Sequence, residues 1–392
     1  MKILMIASYL PFPLYSGGSI RLYNLIKNLS QIHDITLICE KRKNQTEEDI
    51  NEVKRICKKV ITVDRGSQWS PKNILNAGFS THSFLVVGHT HLQMQQIIRD
   101  ELVREKYDLI HVETFYVYQN LPRVFTPVVL VEHNVEYLVY TRYAKTAKAF
   151  LKPLLYADIF KLKKEEEGTW EKANKLVAVS YIERKLMQRE DVEVVPNGVD
   201  INSFKFRKFP KEDEEKRILF IGDFKWMQNK DALETILKDI WSEVEERAND
   251  PDLKLWVVGK NIPQGLKDLN KSKNVIFDED NKDLTSEIYQ KAYVLLAPLR
   301  IAGGTSYKIL EAMASGVGVV TTNLGIEGLE AKNNVDVLAG EIYQLPEMVL
   351  ELLHDRSLYK KLILNARKLA EKNYDWKMIS EKLNDVYLSC FT

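Results

Sequence analysis

Two successive α/β halves are predicted by this sequence, each a Rossmann-like domain on a parallel sheet, the sheets facing an interdomain cleft. Three observations lead there. Short apolar runs alternate with stretches of helical spacing; the alternation halts near residue 200 and restarts; and the second half sets a Gly-rich loop between a strand and a helix. KILMIASYL ends in turn residues, as a buried parallel strand does. Ser16-Gly17-Gly18 follows as a tight small-residue loop, and Ile20, Tyr23, Leu25, Ile26 and Leu29 recur at helical spacing. HDITLIC reads as a second strand, TEEDINEVKRICKKV as a helix with an acidic first turn, and VITVD as a third strand. YDLIHVE, PVVLVEHN, KLVAVS and VEVVPNG complete the half, and Pro196-Asn197-Gly198 is a turn signal that closes it.

Residues 206–216, FRKFPKEDEEK, have a linker's polar composition. Strands then recur at RILFIG, LKLWVVG, NVIFDE, AYVLLAPL and GVVTT, with helices from about Asp231, near 285–291 and from about Thr305. The predicted division is 1–202, 203–373 and a last helical segment, 374–392.

The 392 residues are enough for two sizeable cores without staples. Net charge is +1, divided as +5 over residues 1–205 and −4 over the rest, too weak an asymmetry for a nucleic-acid partner. Cys39, Cys57 and Cys390 are odd in number and far apart, which argues against a disulfide framework or a structural zinc. The N-terminal apolar run, broken by Pro11 and Pro13, does not read as a signal peptide, and no run approaches the roughly 18 apolar residues of a spanning helix. A cytoplasmic protein is expected.

The sharpest segment is APLRIAGGTSYKILEAMASG, residues 297–316. A strand ends near Leu299, a loop carries Gly303, Gly304, Thr305 and Ser306, and a helix carries Lys308 and Glu311. Glycines let backbone approach a ligand closely, and a helix N-terminus favours a diphosphate. Glu311 then lies where it can accept hydrogen bonds from a ribose. The plain alternative is a strand–loop–helix junction with Thr305 as N-cap and Glu311 on a solvated face.

That run, continued by VGVVTTNLGIEGLE, resembles the donor-binding signature of the family 4 retaining glycosyltransferases, in particular their bacterial and archaeal surface-polysaccharide branch. ASYLPFPLYSGGSIRLYNLIKNLS, HVETFYVYQNLP, LVEHNVEYL, ANKLVAVSYIERKLM, VVPNGVDINSF, ILFIGDFKWMQNKDA and DRSLYKKLILNARKLAEKNYDWKMISEKLNDVY follow in that family's order, over nearly the whole chain. The resemblance implies the GT-B fold, with an acceptor domain first and a donor domain second. It implies retaining transfer from a UDP- or GDP-sugar co-substrate, with no cofactor and no metal, to a glycan or lipid-linked acceptor. Glu311 matches the family's second glutamate, on the ribose; the first is replaced by Gly303, which leaves the donor sugar open. The family's diphosphate-binding arginine and lysine are replaced by Asp223 and Asn229. Lys225, Lys230 and Arg300 are the substitutes at hand, Arg300 and Lys225 foremost, each equally a candidate solvated charge. Gly17 and Gly18 match a glycine pair facing the donor phosphates, or else form a helix-entry turn. His133 matches the family's histidine beside the reacting sugar, although a lone histidine is more often structural. Glu113 and Glu136 are weaker candidates for acceptor hydroxyls, and Glu136 also fits the first turn of a helix. Trp376, Ile379, Leu383 and Val386 form one apolar stripe, and the resemblance implies a last helix that crosses back to the first domain.

Other clusters carry less. Asp278, Glu279, Asp280 and Asp283 read as a solvated acidic loop rather than a metal site. His89 and His91 have no acid beside them in the sequence, so a metal reading is poor. Residues 140–164 mix basic and aromatic residues, as an interfacial segment at the inner membrane face does, or as a helix packed beneath the sheet does, with Pro153 breaking any single long helix. The competing functions are a sugar-nucleotide epimerase or hydrolase of the same shape, and a bilobal binding protein with a degenerate site.

Overall fold

The computed structural model describes residues 1–207, 209, 215–301 and 305–391. The chain folds into two compact units, Met1–Pro196 with Ile379–Thr392, and Asn197–Met378.

Unit 1 holds a seven-stranded sheet of β1 (Lys2–Ala7), β2 (Asp34–Lys41), β3 (Lys59–Asp64), β4 (Leu109–Glu113), β5 (Val128–Glu132), β6 (Lys175–Ala178) and β7 (Val192–Val194). Its order is β3-β2-β1-β4-β5-β6-β7, and every pairing is parallel. All seven strands lie where the apolar runs predict them. Beyond Lys2 at the start of β1, the strands β1, β4 and β5 are apolar except at His111, Glu113 and Glu132, which stand out as exceptions with a purpose. The order reverses between β1 and β4, and there Ala7 is level with Glu113 and Glu113 with Val131. Tyr9, Glu113 and His133 therefore come to one carboxyl edge, the ligand side of an open parallel sheet.

Unit 2 holds a six-stranded parallel sheet, order β10-β9-β8-β11-β12-β13, from β8 (Arg217–Ile221), β9 (Lys254–Val258), β10 (Val275–Asp278), β11 (Val294–Ala297), β12 (Gly318–Thr322) and β13 (Leu338–Gly340). β13 was not among the predicted strands. Its three residues, Leu-Ala-Gly, are too few for any periodicity. Its order reverses between β8 and β11, so residues 222 and 299–300 leave the sheet beside one another. Gly259, at φ +144°, ends β9 so close to β8 that a Cβ would lie 1.8 Å from the Gly222 carbonyl oxygen; only glycine fits.

Several boundaries move. The helix placed from about Asp231 begins at Met227 and runs to Thr235, which puts Asn229 in its first turn. The helix placed from Thr305 is Tyr307–Ser315, with Ser306 rather than Thr305 at the N-cap position and no side-chain cap bond. No single helix spans 140–164: Glu136–Thr146 ends before Pro153, which occupies the first turn of a second helix, Lys152–Trp170, where its missing N–H costs nothing. Helices Pro71–Phe79, Phe84–Gly88 and Leu92–Arg104 fill a stretch that the strand–helix alternation leaves blank. The middle of the expected linker, residues 208 and 210–214, lies outside the described residues, as do Gly303 and Gly304.

The last helix, Trp376–Leu388, starts in unit 2 and ends in unit 1. Trp376 is buried against Gly198 of unit 2, while Ile379, Leu383, Val386 and Tyr387 are buried in unit 1. The three cysteines are free thiols.

Candidate functional site

In unit 1 the site is built around Glu113, whose side chain is wholly inaccessible. Glu113 Oε1 accepts the Nε2–H of His133 and Oε2 accepts the Nε2–H of His111, both at 2.6 Å. The Arg21 Nε lies 3.8 Å from Oε1. Burial opposes ionisation of Glu113, but the two imidazoles, His133 foremost, outweigh it and hold the carboxyl well below the ordinary glutamate value. An ionised carboxylate only accepts, so it fixes the proton of each neutral ring on Nε2. His111 passes the order onward, its Nδ1 meeting the Tyr387 hydroxyl at 2.7 Å. Burial raises the Tyr387 phenol well above its usual value, so it stays a donor.

His133 keeps a fifth of its side chain exposed and has Nδ1 free to act as an acceptor. Gly18 sits against it: a Cβ there would lie 2.9 Å from Tyr9 Oη and 3.5 Å from His133 Cε1. Gly17 and Gly18 open the Gly17–Leu29 helix, with Ser16 as N-cap accepting from Ser19 N at 3.3 Å. The glycine pair therefore forms a helix entry, and Gly18 also borders His133. Glu136 does begin a helix, Glu136–Thr146, and its carboxylate accepts from Asn134 Nδ2 at 3.4 Å. The N-terminus of that helix is closed by Glu166, which takes the N–H groups of Glu136 and Tyr137. Burial raises Glu136, raises Glu166 to about 8, and raises Glu132, the last also through Glu166 beside it.

In unit 2 the site centres on Lys308 and Glu311, on one face of the Tyr307–Ser315 helix. Lys308 Nζ donates to Asn229 Oδ1 at 2.8 Å and lies 4.6 Å from the centre of the Phe220 ring. Asn229 packs on Gly222, where a Cβ would come within 2.5 Å, and donates to the Asp223 carbonyl at 2.8 Å. Burial lowers the Lys308 ammonium to about 8, against the opposing pull of Glu311. Burial likewise raises Glu311 to about 7, against Tyr289 and Lys308. The Tyr289 hydroxyl lies 3.1 Å from Glu311 Oε2 and 3.0 Å from the Lys308 carbonyl, one proton between two acceptors. Thr305 is buried, and its Oγ1 has no hydrogen-bond partner among the described residues. Ser306 is half-buried beside it.

The two substitutes for the missing diphosphate cations stand differently. Arg300 makes a two-pronged pair with Asp231, at 3.0 and 2.6 Å, with half of its side chain exposed. Asp223, where the resemblance looks for an arginine, ties its own loop instead, taking the Lys225 N–H at 3.0 Å and Asn261 Nδ2 at 2.9 Å. The Lys225 side chain is exposed. The charge missing at Asn229 arrives from another helix, as Lys308.

The acidic loop is tied by local partners, Asp278 to Trp256 and Asn281, Asp283 to Lys291 and Glu279 to Lys267. His89 and His91 do meet an acid, which the sequence does not announce: both bond to buried Glu40, at 2.9 and 3.1 Å, and Arg65 closes the group. Among the described residues no group of three or more His, Cys, Asp or Glu is arranged to hold a metal ion. Sequence reasoning missed Tyr9, Arg21, Tyr289 and Tyr387 as members of these clusters.

The family described as "Glycosyltransferase Family 4" matches residues 15–203, and that described as "Glycosyl transferases group 1" matches residues 215–355. The chain belongs to the family 4 glycosyltransferases. It is 23% identical to an uncharacterized 44.6 kDa protein in the cps region of Klebsiella pneumoniae, over 96% of this chain and 97% of that one. Among solved structures it is similar to sucrose-phosphate synthase from Thermosynechococcus elongatus, with TM-score 0.72, 17% identity and coverage of 100% and 99% of the two chains. Anabaena HepE in complex with UDP and glucose gives TM-score 0.64 at 14% identity, covering 99% of this chain and 100% of that one. These likenesses establish the GT-B fold for a glycosyltransferase whose His133 follows a strand of the first sheet and whose Lys308 and Glu311 stand on a helix of the second unit.

Proposed function

We propose that this glycosyltransferase moves a sugar, with retention of anomeric configuration and without a metal, from a UDP- or GDP-sugar to a glycan or lipid-linked acceptor. The product is a capsule-type or other cell-surface polysaccharide, built in the cytoplasm at the inner face of the membrane. The relative from a cps region and the neighbour that binds UDP support the reading. The observation that carries it is the Lys308–Asn229–Glu311 arrangement in unit 2.

A departing nucleoside diphosphate needs positive charge and N–H donors held in place beforehand. Lys308 supplies a charge anchored at one end by Asn229, and the start of its helix supplies N–H groups and a favourable dipole. Glu311, once ionised, accepts from ribose hydroxyls. In unit 1 Glu113 holds His133 with Nδ1 toward the reacting sugar, and Gly18 keeps the space beside that ring open. Both Glu113 oxygens are taken by imidazoles, which leaves it a poor base for activating water and weighs against the hydrolase alternative. Retention of Lys308 and Glu311 in one cluster weighs against a merely degenerate binding site.

The test is a panel of nucleoside-diphosphate sugars read by protection against thermal unfolding, followed by nucleotide release with and without glycan acceptors. Protection by a uridine or guanosine donor and acceptor-dependent release are expected. Release that proceeds equally without acceptor would replace transfer with hydrolysis. His133→Ala is expected to depress turnover far more than donor affinity; normal turnover would make the histidine structural.

A further inference from the structure

We infer that Arg65, His91 and Trp69 form a second sugar subsite of unit 1, which holds an anionic residue of the acceptor glycan away from its reacting end. The cluster around Glu113 has a counterpart that sugar transfer, as described, leaves unused. Glu40, like Glu113, is wholly inaccessible. Each carboxylate holds one buried histidine, His89 or His111, and one that reaches the surface, His91 at 18% or His133 at 20% exposure of the side chain. An arginine stands beside each, Arg65 at 3.5 Å from Glu40 and Arg21 at 3.8 Å from Glu113.

The two clusters share one edge of the sheet. Ala7 of β1 is level with Cys39 of β2 on one side and with Glu113 of β4 on the other. Glu40 therefore stands at the carboxyl edge, two strand spacings or about 10 Å across from Glu113. Ser8 and Tyr9 join the clusters. Tyr9 and His133 both border Gly18, and Ser8 Oγ lies 3.5 Å from the hydroxyl of Tyr116, the ring of which is 4.6 Å from His89. That gap exceeds one sugar ring, so a group at Arg65 belongs to a residue further along the acceptor than the one that reacts.

The chemistry of the cluster names its occupant. Burial opposes ionisation of Glu40, but its bonds from His89 and His91 hold the carboxyl below the ordinary glutamate value. The carboxylate accepts, so His91 keeps its proton on Nε2 and has a lone pair on Nδ1. Arg65 gives Nη2 to His89 at 3.1 Å, and its Nη1 has no partner among the described residues. With 23% of its side chain exposed, Arg65 is the charge of this cluster that a ligand can reach. Acids near it are engaged elsewhere, Asp64 with Lys41 and Asp158 with the Phe84 N–H. Free guanidinium N–H groups beside an imidazole lone pair fit a carboxylate or phosphate that has a hydroxyl next to it. Trp69 adds the sugar. Its ring is 76% exposed and packs on Phe84 at 4.8 Å. Phe84 opens the short helix that His89 closes, about 7 Å along its axis. An indole left in water so near a cation offers its π face to the C–H groups of a sugar ring, which a bare anion lacks.

The inference rests on transfer to a glycan as proposed above, but neither donor nor turnover enters its test, so the two fail separately. The full chain is titrated by calorimetry with an oligosaccharide containing a uronic acid, with a phosphorylated one, and with the first after reduction of its carboxyl to the neutral alcohol. An acidic form is expected to bind about tenfold or more tightly than the neutral one, and the form preferred names the anion. Arg65→Gln is expected to erase that preference and Arg65→Lys to keep part of it. Trp69→Ala, which removes an exposed ring and leaves thermal unfolding unchanged, is expected to weaken acidic and neutral forms alike. Equal affinity of the parent for acidic and neutral forms, or no binding of any of them, overturns the inference. So does an undiminished preference in Arg65→Gln, or undiminished glycan affinity in Trp69→Ala.

Discussion

Glu113→Gln isolates the charge at the centre of unit 1 while preserving shape. The carboxylate accepts two imidazole N–H bonds at 2.6 Å and lies 3.8 Å from Arg21. Glutamine offers one oxygen and one NH2, so one imidazole keeps a neutral bond and the other meets N–H with N–H unless its ring moves its proton. His111 can do so, because the Tyr387 hydroxyl can turn from donor to acceptor; His133 can do so only by presenting Nδ1–H where it now presents a lone pair. Charge-assisted bonds contribute roughly 1.5–3 kcal/mol each, and breaking a buried ionic group costs about 3–5 kcal/mol. A loss of about 4 kcal/mol at pH 7 is therefore expected, on the order of 10 °C in the unfolding midpoint of a unit of about 200 residues. The sign with pH follows from the depressed folded-state value. The carboxylate's contribution is complete above the ordinary 4.5 and is lost as pH falls below it. The gap between parent and variant should thus be constant from neutral pH to about 5 and close on further acidification. Glu166, raised to about 8, acts oppositely, adding stability as pH falls from there toward 4.5, and Glu132, also raised, acts in the same sense; both do so in parent and variant and cancel in the difference. Thermal unfolding of parent and variant across pH is the measurement. A variant as stable as the parent at pH 7, or a gap that persists unchanged through acid, would refute an ionised Glu113.

Glu311→Ala should weaken nucleoside-diphosphate binding by roughly 1–3 kcal/mol, measured by calorimetry on a folded variant, with unchanged affinity removing Glu311 from the ribose. Lys308→Met should weaken the same binding. In the parent the affinity should hold up to about pH 8 and fall above it as the ammonium is lost, whereas the variant shows no such fall. Turnover should survive EDTA; complete loss restored by magnesium or manganese would overturn a metal-free mechanism.

Much of the fold was legible because buried parallel strands are short apolar runs with turns at their ends. β1 to β7 and β8 to β12 each carry that signature, and β13, at three residues, does not. The helices between 71 and 104 escaped because Pro71–Phe79 turns its apolar residues outward, so its pattern does not report a core-facing stripe. Within the site the same distinction holds. Gly18, His133, Lys308 and Glu311 could be picked out because each stands in a local motif at a strand end or helix start. The pairing of Lys308 with Asn229, of His111 with Tyr387 and of Glu40 with His89 joins residues with no local relation, and nothing in either neighbourhood announces the partner. The pairing of Arg300 with Asp231 was hidden for the same reason, since that carboxylate lies on a helix 69 residues away.

The helix Trp376–Leu388 gives unit 1 a property that matters before the enzyme ever meets a donor. Its Tyr387 meets His111 across 276 residues of chain, the whole of unit 2 intervening. During synthesis unit 2 has all of its strands available while unit 1 still lacks its last helix. The sheet of unit 1 can assemble early, but Ile379, Leu383 and Val386 reach its surface only after the whole of unit 2 has been made. Closing so long a loop is slow, and until it closes the apolar surface that receives them is open to chaperones and proteases. A nascent chain that stalls before this helix therefore keeps the surface that receives it uncovered.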